Sequence, residues 1–294
     1  MARAGNLPQI LSRRGPLPAA HARHGEPLLP GRVYVAPPDS HLLTASGTAR
    51  LSSGPRVNRH RPAVDVMFAS AARWAGDRVV AVVLSGVLDD GAVGAALVAR
   101  AGGRVMVQDP ADAAFDSMPR AALFAVPDAL AMPATRLGKA IHALVEEGTG
   151  ETADEGGGNG EGGSEMRESS MADSDDPGFL TAEEARLTRM SCPECSGGLA
   201  EIDVSGIRYF RCHVGHQYSQ RTLEAAQREA AEAKLWAAAA ALEEHATLAR
   251  HLAGRSDEEI GGDVAQGYRR AAERSAETAR SLQSRLRESR ASEL

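Results

Sequence analysis

Two groups of residues in this 294-residue chain have the types and spacing to do chemistry. The first is Leu84 to Gly91, reading LSGVLDDG, followed by Gln108-Asp109-Pro110 and by Ser117-Met118-Pro119-Arg120. It sets two carboxylates, Asp89 and Asp90, in a turn between an apolar run and an alanine-rich run. The second is Cys192-Pro193-Glu194-Cys195 with Cys212-His213-Val214-Gly215-His216, sixteen residues lying between Cys195 and Cys212. Two knuckles of thiol and imidazole donors at that spacing form the ligand pattern of a zinc ribbon. The spacing predicts a closed, structural Zn2+ site held by Cys192, Cys195, Cys212 and His216, with His213 as the alternative fourth ligand. Gly215 lets the backbone fold tightly around an ion. Without metal, a module of about forty residues with few large apolar groups would have to fold unaided, which small cores seldom support. Zinc binding worth roughly 10–16 kcal/mol removes that difficulty.

The elements that position the first group follow from periodicity. Val79 to Leu84 is short, apolar and β-branched, the pattern of a strand buried on both faces. Gly91 opens a helical run to Arg100. Carboxylates between a strand's C-terminal end and the next helix stand at the functional rim of an α/β sheet, near the positive end of that helix. The strand at Arg104–Gln108 and helices at Ala92–Arg100 and Met118–Ala125 continue an alternation that predicts a parallel sheet. Upstream, Arg32–Ala36 reads as a strand and His41–Ser53 as a hairpin around Gly47. Val64–Ala75 reads as a helix with Val64, Met67, Phe68 and Ala71 on one face. A helix at Leu137–Glu147 closes the α/β part. His21, His24 and His41 read as solvated loop residues.

The ordered motifs resemble the catalytic domain of chemotaxis protein-glutamate methylesterases of the CheB type. They are Gly86 to Gly91 as a G-x-x-x-D-G turn, Val105 to Asp109 as a strand ending in Q-D, and Met118 to Ala121 as M-P-x-A. Gly25-Glu26-Pro27, Gly31 to Pro37, His41-Leu42 and Arg61 to Asp65 extend the likeness upstream. The resemblance implies a Ser-His-Asp hydrolase of glutamyl methyl esters on chemoreceptors, with Asp90 as the aspartate that orients the histidine. Met118 and Pro119 would shape a loop beside the substrate. The first thirty residues hold neither an S-x-G-G turn nor an apolar strand ending in histidine, and Ser12 reads as part of a helix end. An N-terminally truncated catalytic domain is therefore expected. Whether this chain is an enzyme stays open, because an aspartate alone supplies no nucleophile. The alternative is a non-catalytic, zinc-binding interaction module in a signalling pathway.

Composition bounds the rest. The net charge of −6 argues against non-specific nucleic-acid binding. Arg208, Arg211 and Arg221 are too few to make the ribbon a nucleic-acid module. No run of eighteen apolar residues predicts a membrane span. Three cysteines and no apolar leader point to the cytoplasm and to thiol ligands instead of disulfides. A methylated chemoreceptor or a related signalling protein is the expected partner. The expected organisation is a partial parallel-sheet α/β domain over 1–147 and a Gly/Ser/acidic linker over 148–180. A zinc-ribbon-like module over 181–218 and a helical hairpin over 219–294 complete it. Leu235, Leu242 and Ala249, then Val264, Tyr268, Ala271, Ser275, Leu282 and Leu286, are the expected seams of that hairpin.

Overall fold

The computed structural model describes residues 5–150, 185–204, 206–259 and 262–291. The expected linker, apart from its first three residues, lies outside them, as do residues 181–184 and 205 of the expected zinc-ribbon-like module. The described residues up to Leu223 make one compact unit and those from Glu224 onward a second.

The first unit opens with helix α1 (Leu7–Arg14), strand β1 (Ala19–His21) and strand β2 (Val33–Val35). β1 and β2 pair in parallel, so His21 belongs to a strand and not to a polar loop. Strands β3 (His41–Ala45) and β4 (Thr48–Ser52) form the expected antiparallel hairpin. Helix α2 (Val64–Ala75) precedes strand β5 (Val80–Val83), helix α3 (Ala92–Arg100), strand β6 (Arg104–Gln108) and helix α4 (Ser117–Ala125). Strand β7 (Leu130–Met132) and helix α5 (Ala134–Gly150) follow. β5, β6 and β7 form a parallel sheet in that order, joined through α3 and α4.

Strand order explains one departure from expectation. β6 is central, and Val105 to Gln108 are buried on both faces. β5 ends the described sheet, and its burial alternates instead. Ala81 faces Val105 and Val83 faces Val107 across the register. These four side chains gather Phe68 and Ala72 of α2, Ala95 and Val98 of α3, and Ala122 of α4 into one core. The buried stripe of α2 is Asp65, Val66, Phe68, Ala69 and Ala72. Val64, Met67 and Ala71 of the expected face are only half-buried, because α2 packs on β3 and α3 at once and buries a wider arc.

After residue 184 the chain forms a four-stranded antiparallel sheet in the order β11-β10-β9-β8. Its strands are β8 (Arg186–Ser191), β9 (Gly198–Val204), β10 (Ile207–Cys212) and β11 (Gln217–Ser219). Part of the core of this sheet is shared with the α/β part. Ile202, Val204 and Tyr209 are buried together with Val57, Ala63, Val66 and Val93.

Helices α6 (Gln220–Glu259) and α7 (Gly262–Ala291) supply the second unit. The His245 ring and the Ser275 hydroxyl lie 2.9 Å apart, and the Gln283 amide donates to Glu243 at 2.8 Å. These pairings run the two helices antiparallel. Ala239, Ala246, Ala249 and Ala253 on α6, and Ala265, Ala272, Ala279 and Leu286 on α7 are buried, so Ala249 and Leu286 of the expected seams are kept and the other buried positions are alanines the expectation did not name. Leu235 is exposed. Small residues at heptad spacing let two helix backbones approach closely, so the larger side chains flank the seam.

Gly94 marks the closest approach of α2 and α3. A Cβ there would meet Phe68 Cβ at 2.7 Å and Asp65 Cα at 3.0 Å. Gly94→Ala is expected to lower unfolding stability in urea by about 1–3 kcal/mol through overpacking. Gly138→Ala on α5, where nothing lies within 4 Å, is expected to raise it by about 0.5–1 kcal/mol.

Candidate functional site

The site begins at the N-terminus of α2. The first amides of a helix have no partner within it. The N-cap residue here is Ala63, which has no side chain to offer and makes no cap bond. Two residues from elsewhere fill the role. Val64 N–H donates to Asp90 Oδ2 at 2.8 Å, and Asp65 N–H donates to Asp90 Oδ1 at 3.1 Å. Ala63 N–H donates to His41 Nδ1 at 3.3 Å. His41 is fully buried, with Nε2 3.0 Å from the Pro55 carbonyl. Burial holds its pKa below the ordinary value. The neutral ring therefore carries its proton on Nε2 and accepts on Nδ1. The loop histidine expected to be solvated is a structural cap.

Asp90 departs from expectation in the same way. It lies one residue ahead of the Gly91 cap of α3, yet its carboxylate serves the positive end of α2. Gly91 makes this geometry: its φ of +92° turns the chain, and a Cβ would come within 2.9 Å of Val64 Cγ1. Burial pushes the Asp90 pKa up, while the two amides, His60 and Asn58 pull it down.

Asp65 is the third carboxyl of the cluster and was not singled out by sequence. Its Oδ1 accepts from Gly94 N–H at 2.7 Å. Its Oδ2 accepts from Asn58 Nδ2 at 2.9 Å and from the Tyr209 hydroxyl at 3.0 Å. Burial first, and the charge of Asp90 second, raise its pKa to about 8. Burial and Asp65 hold the Tyr209 phenol well above its usual range, so it remains a donor. Asp89 is buried as well and accepts from the Thr222 hydroxyl at 2.8 Å. Asn58 sits in a two-residue turn in which Asn58 and Arg59 both have positive φ. The turn is closed by Val57 and His60, which exchange both backbone hydrogen bonds. Asn58 backbone N–H donates to the Gln217 carbonyl at 2.8 Å, and its Oδ1 accepts from Ser219 N–H at 3.0 Å. Besides its place at the end of the Arg61 to Asp65 motif, the sequence signal for Asp65 was a charge inside an apolar helix, which usually means a paired group.

The rim is stapled around Gly86. Ser85 N–H donates to Gln108 Oε1, and Gln108 Nε2 donates to Asp112 Oδ2 at 2.8 Å. Phe115 N–H donates to Ser85 Oγ, while Gly86 N–H donates to Phe115 O and Met118 N–H to Gly86 O. The Met118 side chain lies directly over Gly86, so a Cβ there would require it to move. Met118 and Pro119 fall within the first turn of α4, and Pro119 is buried, so they belong to a helix start and not to a loop. Leu84, Val87 and Phe115 are exposed around this rim.

A second constellation lies in the C-terminal sheet. Ligand-type atoms of Cys192, Cys195, Cys212 and His216 all fall within 4.8 Å of one another. Cys195 and Cys212 sulfurs are 3.6 Å apart, and His216 Nδ1 is 3.7 Å from Cys192 Sγ and 3.5 Å from Cys212 Sγ. Sulfurs bound at about 2.3 Å on a tetrahedron stand roughly 3.8 Å apart, so the donor set fits a metal ion. His213 is not in this cluster and packs against Gly197. His216 Nε2 is 3.4 Å from Glu194 Oε2, and Glu194 Oε1 accepts from the Tyr218 hydroxyl at 2.8 Å. A carboxylate behind a histidine fixes the ring for a metal on its other nitrogen. Among the described residues no helix is long and apolar enough to cross a membrane.

Parallel strands joined through helices, with the aspartate turn and the Gln108 loop meeting at their C-terminal ends, define an α/β domain of the methylesterase type. Residues 2–141 match the family model described as CheB methylesterase, and this part of the chain belongs to that family. A protein-glutamate methylesterase/protein-glutamine glutaminase 4 of Anaeromyxobacter dehalogenans (strain 2CP-C) is 38% identical over 157 residues. That match covers 49% of this chain and 44% of the relative. A protein-glutamate methylesterase/protein-glutamine glutaminase 3 of Burkholderia lata is 49% identical over 106 residues, covering 35% of this chain and 29% of the relative. The chain thus spans less than half the length of these curated relatives. The crystal structure of the Thermotoga maritima CheB methylesterase catalytic domain superposes with a TM-score of 0.46 at 30% identity, over 48% of this chain and 76% of that one.

The raised pKa of Asp65 has a measurable consequence. From about pH 4 to pH 8 the folded chain keeps a proton that the unfolded chain has released, so stability falls as pH rises through this window. The slope is at most about 1.4 kcal/mol per pH unit. Urea denaturation at pH 5 to 8 is expected to show this decline in the wild type and a flatter profile in Asp65→Asn.

Proposed function

We propose that this chain is a CheB-type signalling protein whose α/β domain does not itself hydrolyse esters. It works through contact with a methylated chemoreceptor or a related signalling protein. A structural zinc ion held by Cys192, Cys195, Cys212 and His216 orders its C-terminal sheet. The family reaction converts a protein γ-glutamyl methyl ester to glutamate and methanol through a serine acyl-enzyme, with a histidine as base and an aspartate behind it.

The observation that carries this proposal is the use made of Asp90. Both carboxylate oxygens accept amides of α2, where the family role asks for an imidazole. No S-x-G-G turn occurs in the sequence. With both oxygens accepting amides, Asp90 has a structural use that needs no imidazole. The donor set of three thiols and one imidazole, with all four positions filled by protein, supports a closed structural metal site over a catalytic one. Glu194 and Tyr218 behind the donors support the same view.

The purified chain is expected to release no methanol from methylated receptor above a buffer control, and to contain one zinc per chain by elemental analysis. Cys212→Ala is expected to lose the metal. Methanol release that disappears in Asp90→Asn would refute the non-hydrolytic part, and a zinc-free chain under reducing conditions would refute the metal part.

A further inference from the structure

The hairpin that carries half of the metal site also carries the groups that hold the acidic cluster. Cys212 ends β10 and His216 precedes β11, so the four-residue step between two donors is the turn of the β10–β11 hairpin. Cys212 N–H donates to the His216 carbonyl, and Gly215 N–H to the Cys212 carbonyl. In the register of this hairpin Tyr209 lies opposite Ser219. Tyr209 reaches Asp65 with its hydroxyl, and Ser219 N–H reaches Asn58, whose amide in turn donates to the same Asp65 oxygen. Gln217, next to His216, exchanges backbone hydrogen bonds with the 56–58 segment: its N–H donates to Arg56 O and its carbonyl accepts from Asn58 N–H. Both strands of the hairpin thus close on one buried carboxyl, that of Asp65, whose own amide is bound by Asp90.

We infer that the ribbon is a metal-dependent latch: occupation of the Cys192, Cys195, Cys212 and His216 site sets the order of the α2 N-terminus and of Asp90, through Tyr209 and Asn58. The inference rests on the metal site proposed above. An ion across the hairpin turn fixes the spacing of β10 and β11. When it leaves, the turn keeps its backbone hydrogen bonds and the contact of His216 with Glu194 but loses the cross-link between Cys212 and His216, and Tyr209 and Ser219 lose their fixed separation. A carboxyl buried beside another carboxyl depends on every donor it has. Loss of Tyr209 and Asn58 as donors loosens Asp65 first, and with it the amides that Asp65 and Asp90 accept.

Amide hydrogen exchange on the full chain under reducing conditions tests this, comparing protein holding one equivalent of zinc with protein stripped by a chelator. Removal of zinc is expected to speed exchange about tenfold or more at Val64, Asp65 and Gly94, alongside Cys192 and Gly215, while Val105 to Val107 of β6 stay slow. Tyr209→Phe is expected to keep its zinc and its slow Cys192 and Gly215 amides. In that variant Val64, Asp65 and Gly94 should exchange fast even with zinc bound, and respond less to its removal. Three results would overturn the latch. Faster exchange confined to the ribbon would show that the metal does not act on α2. Acceleration of β6 together with α2 would show general unfolding. A chain that takes up no zinc would overturn both the latch and the metal site, which separates that failure from the first two.

Discussion

Helix α2 cannot cap itself, and the first unit is arranged around that fact. Its N-cap is alanine, and the amides of Ala63, Val64 and Asp65 all need acceptors from outside the helix. A buried amide left without an acceptor costs about 1–3 kcal/mol. The acceptors come from 26 residues later and 22 residues earlier in the chain, at Asp90 and His41. The G-x-x-x-D-G turn, the glycine that permits it and the histidine of the β3 hairpin are therefore tied to one helix terminus. A carboxylate at the positive end of a helix is stabilised by the helix dipole as well as by hydrogen bonds. This compensates part of the cost of burying it.

That solution creates a second difficulty, because Asp65, in the same first turn, is also buried. Two carboxyls in one apolar pocket resist ionising together. The protein answers with donors: Gly94 from α3, Asn58 from a tight turn, and Tyr209 from the C-terminal sheet. Tyr209 lies 144 positions from Asp65 in the chain, and Asn58 is held by Ser219, 161 positions away. Ile202 and Val204 add apolar burial against Val57, Val66 and Val93. The ribbon is thus part of the packing of the α/β unit, and a module of this small size need not sustain a core alone.

The long helices after Leu223 are built on a different principle. Their buried seam is almost wholly alanine, and polar cross-links such as Gln283 to Glu243 set the register. Alanine buries little surface per residue, so the pair gains its stability from length and intrinsic helix propensity more than from any large side chain.

The sequence by itself determined the alternation of strands and helices from Val79 to Ala125, the hairpin about Gly47, the family of the first half and the four metal-type donors. Each depends on local spacing: period two or 3.6, a turn glycine, a fixed gap between thiols. It also picked out Asp90, but by resemblance, and so named its role before its contacts. Tertiary structure alone decided that Asp90 and His41 cap α2, that Asp65 is a buried acid, and that Tyr209 and Asn58 hold it. It also placed His216, and not His213, beside the three thiols, and buried alanines along most of the helical seam. These outcomes turn on which distant segments meet, and no periodicity within a window records that. A carboxyl's pKa, a histidine's tautomer and a helix's cap are properties of the neighbours that folding brings, not of the residue or its place in the chain.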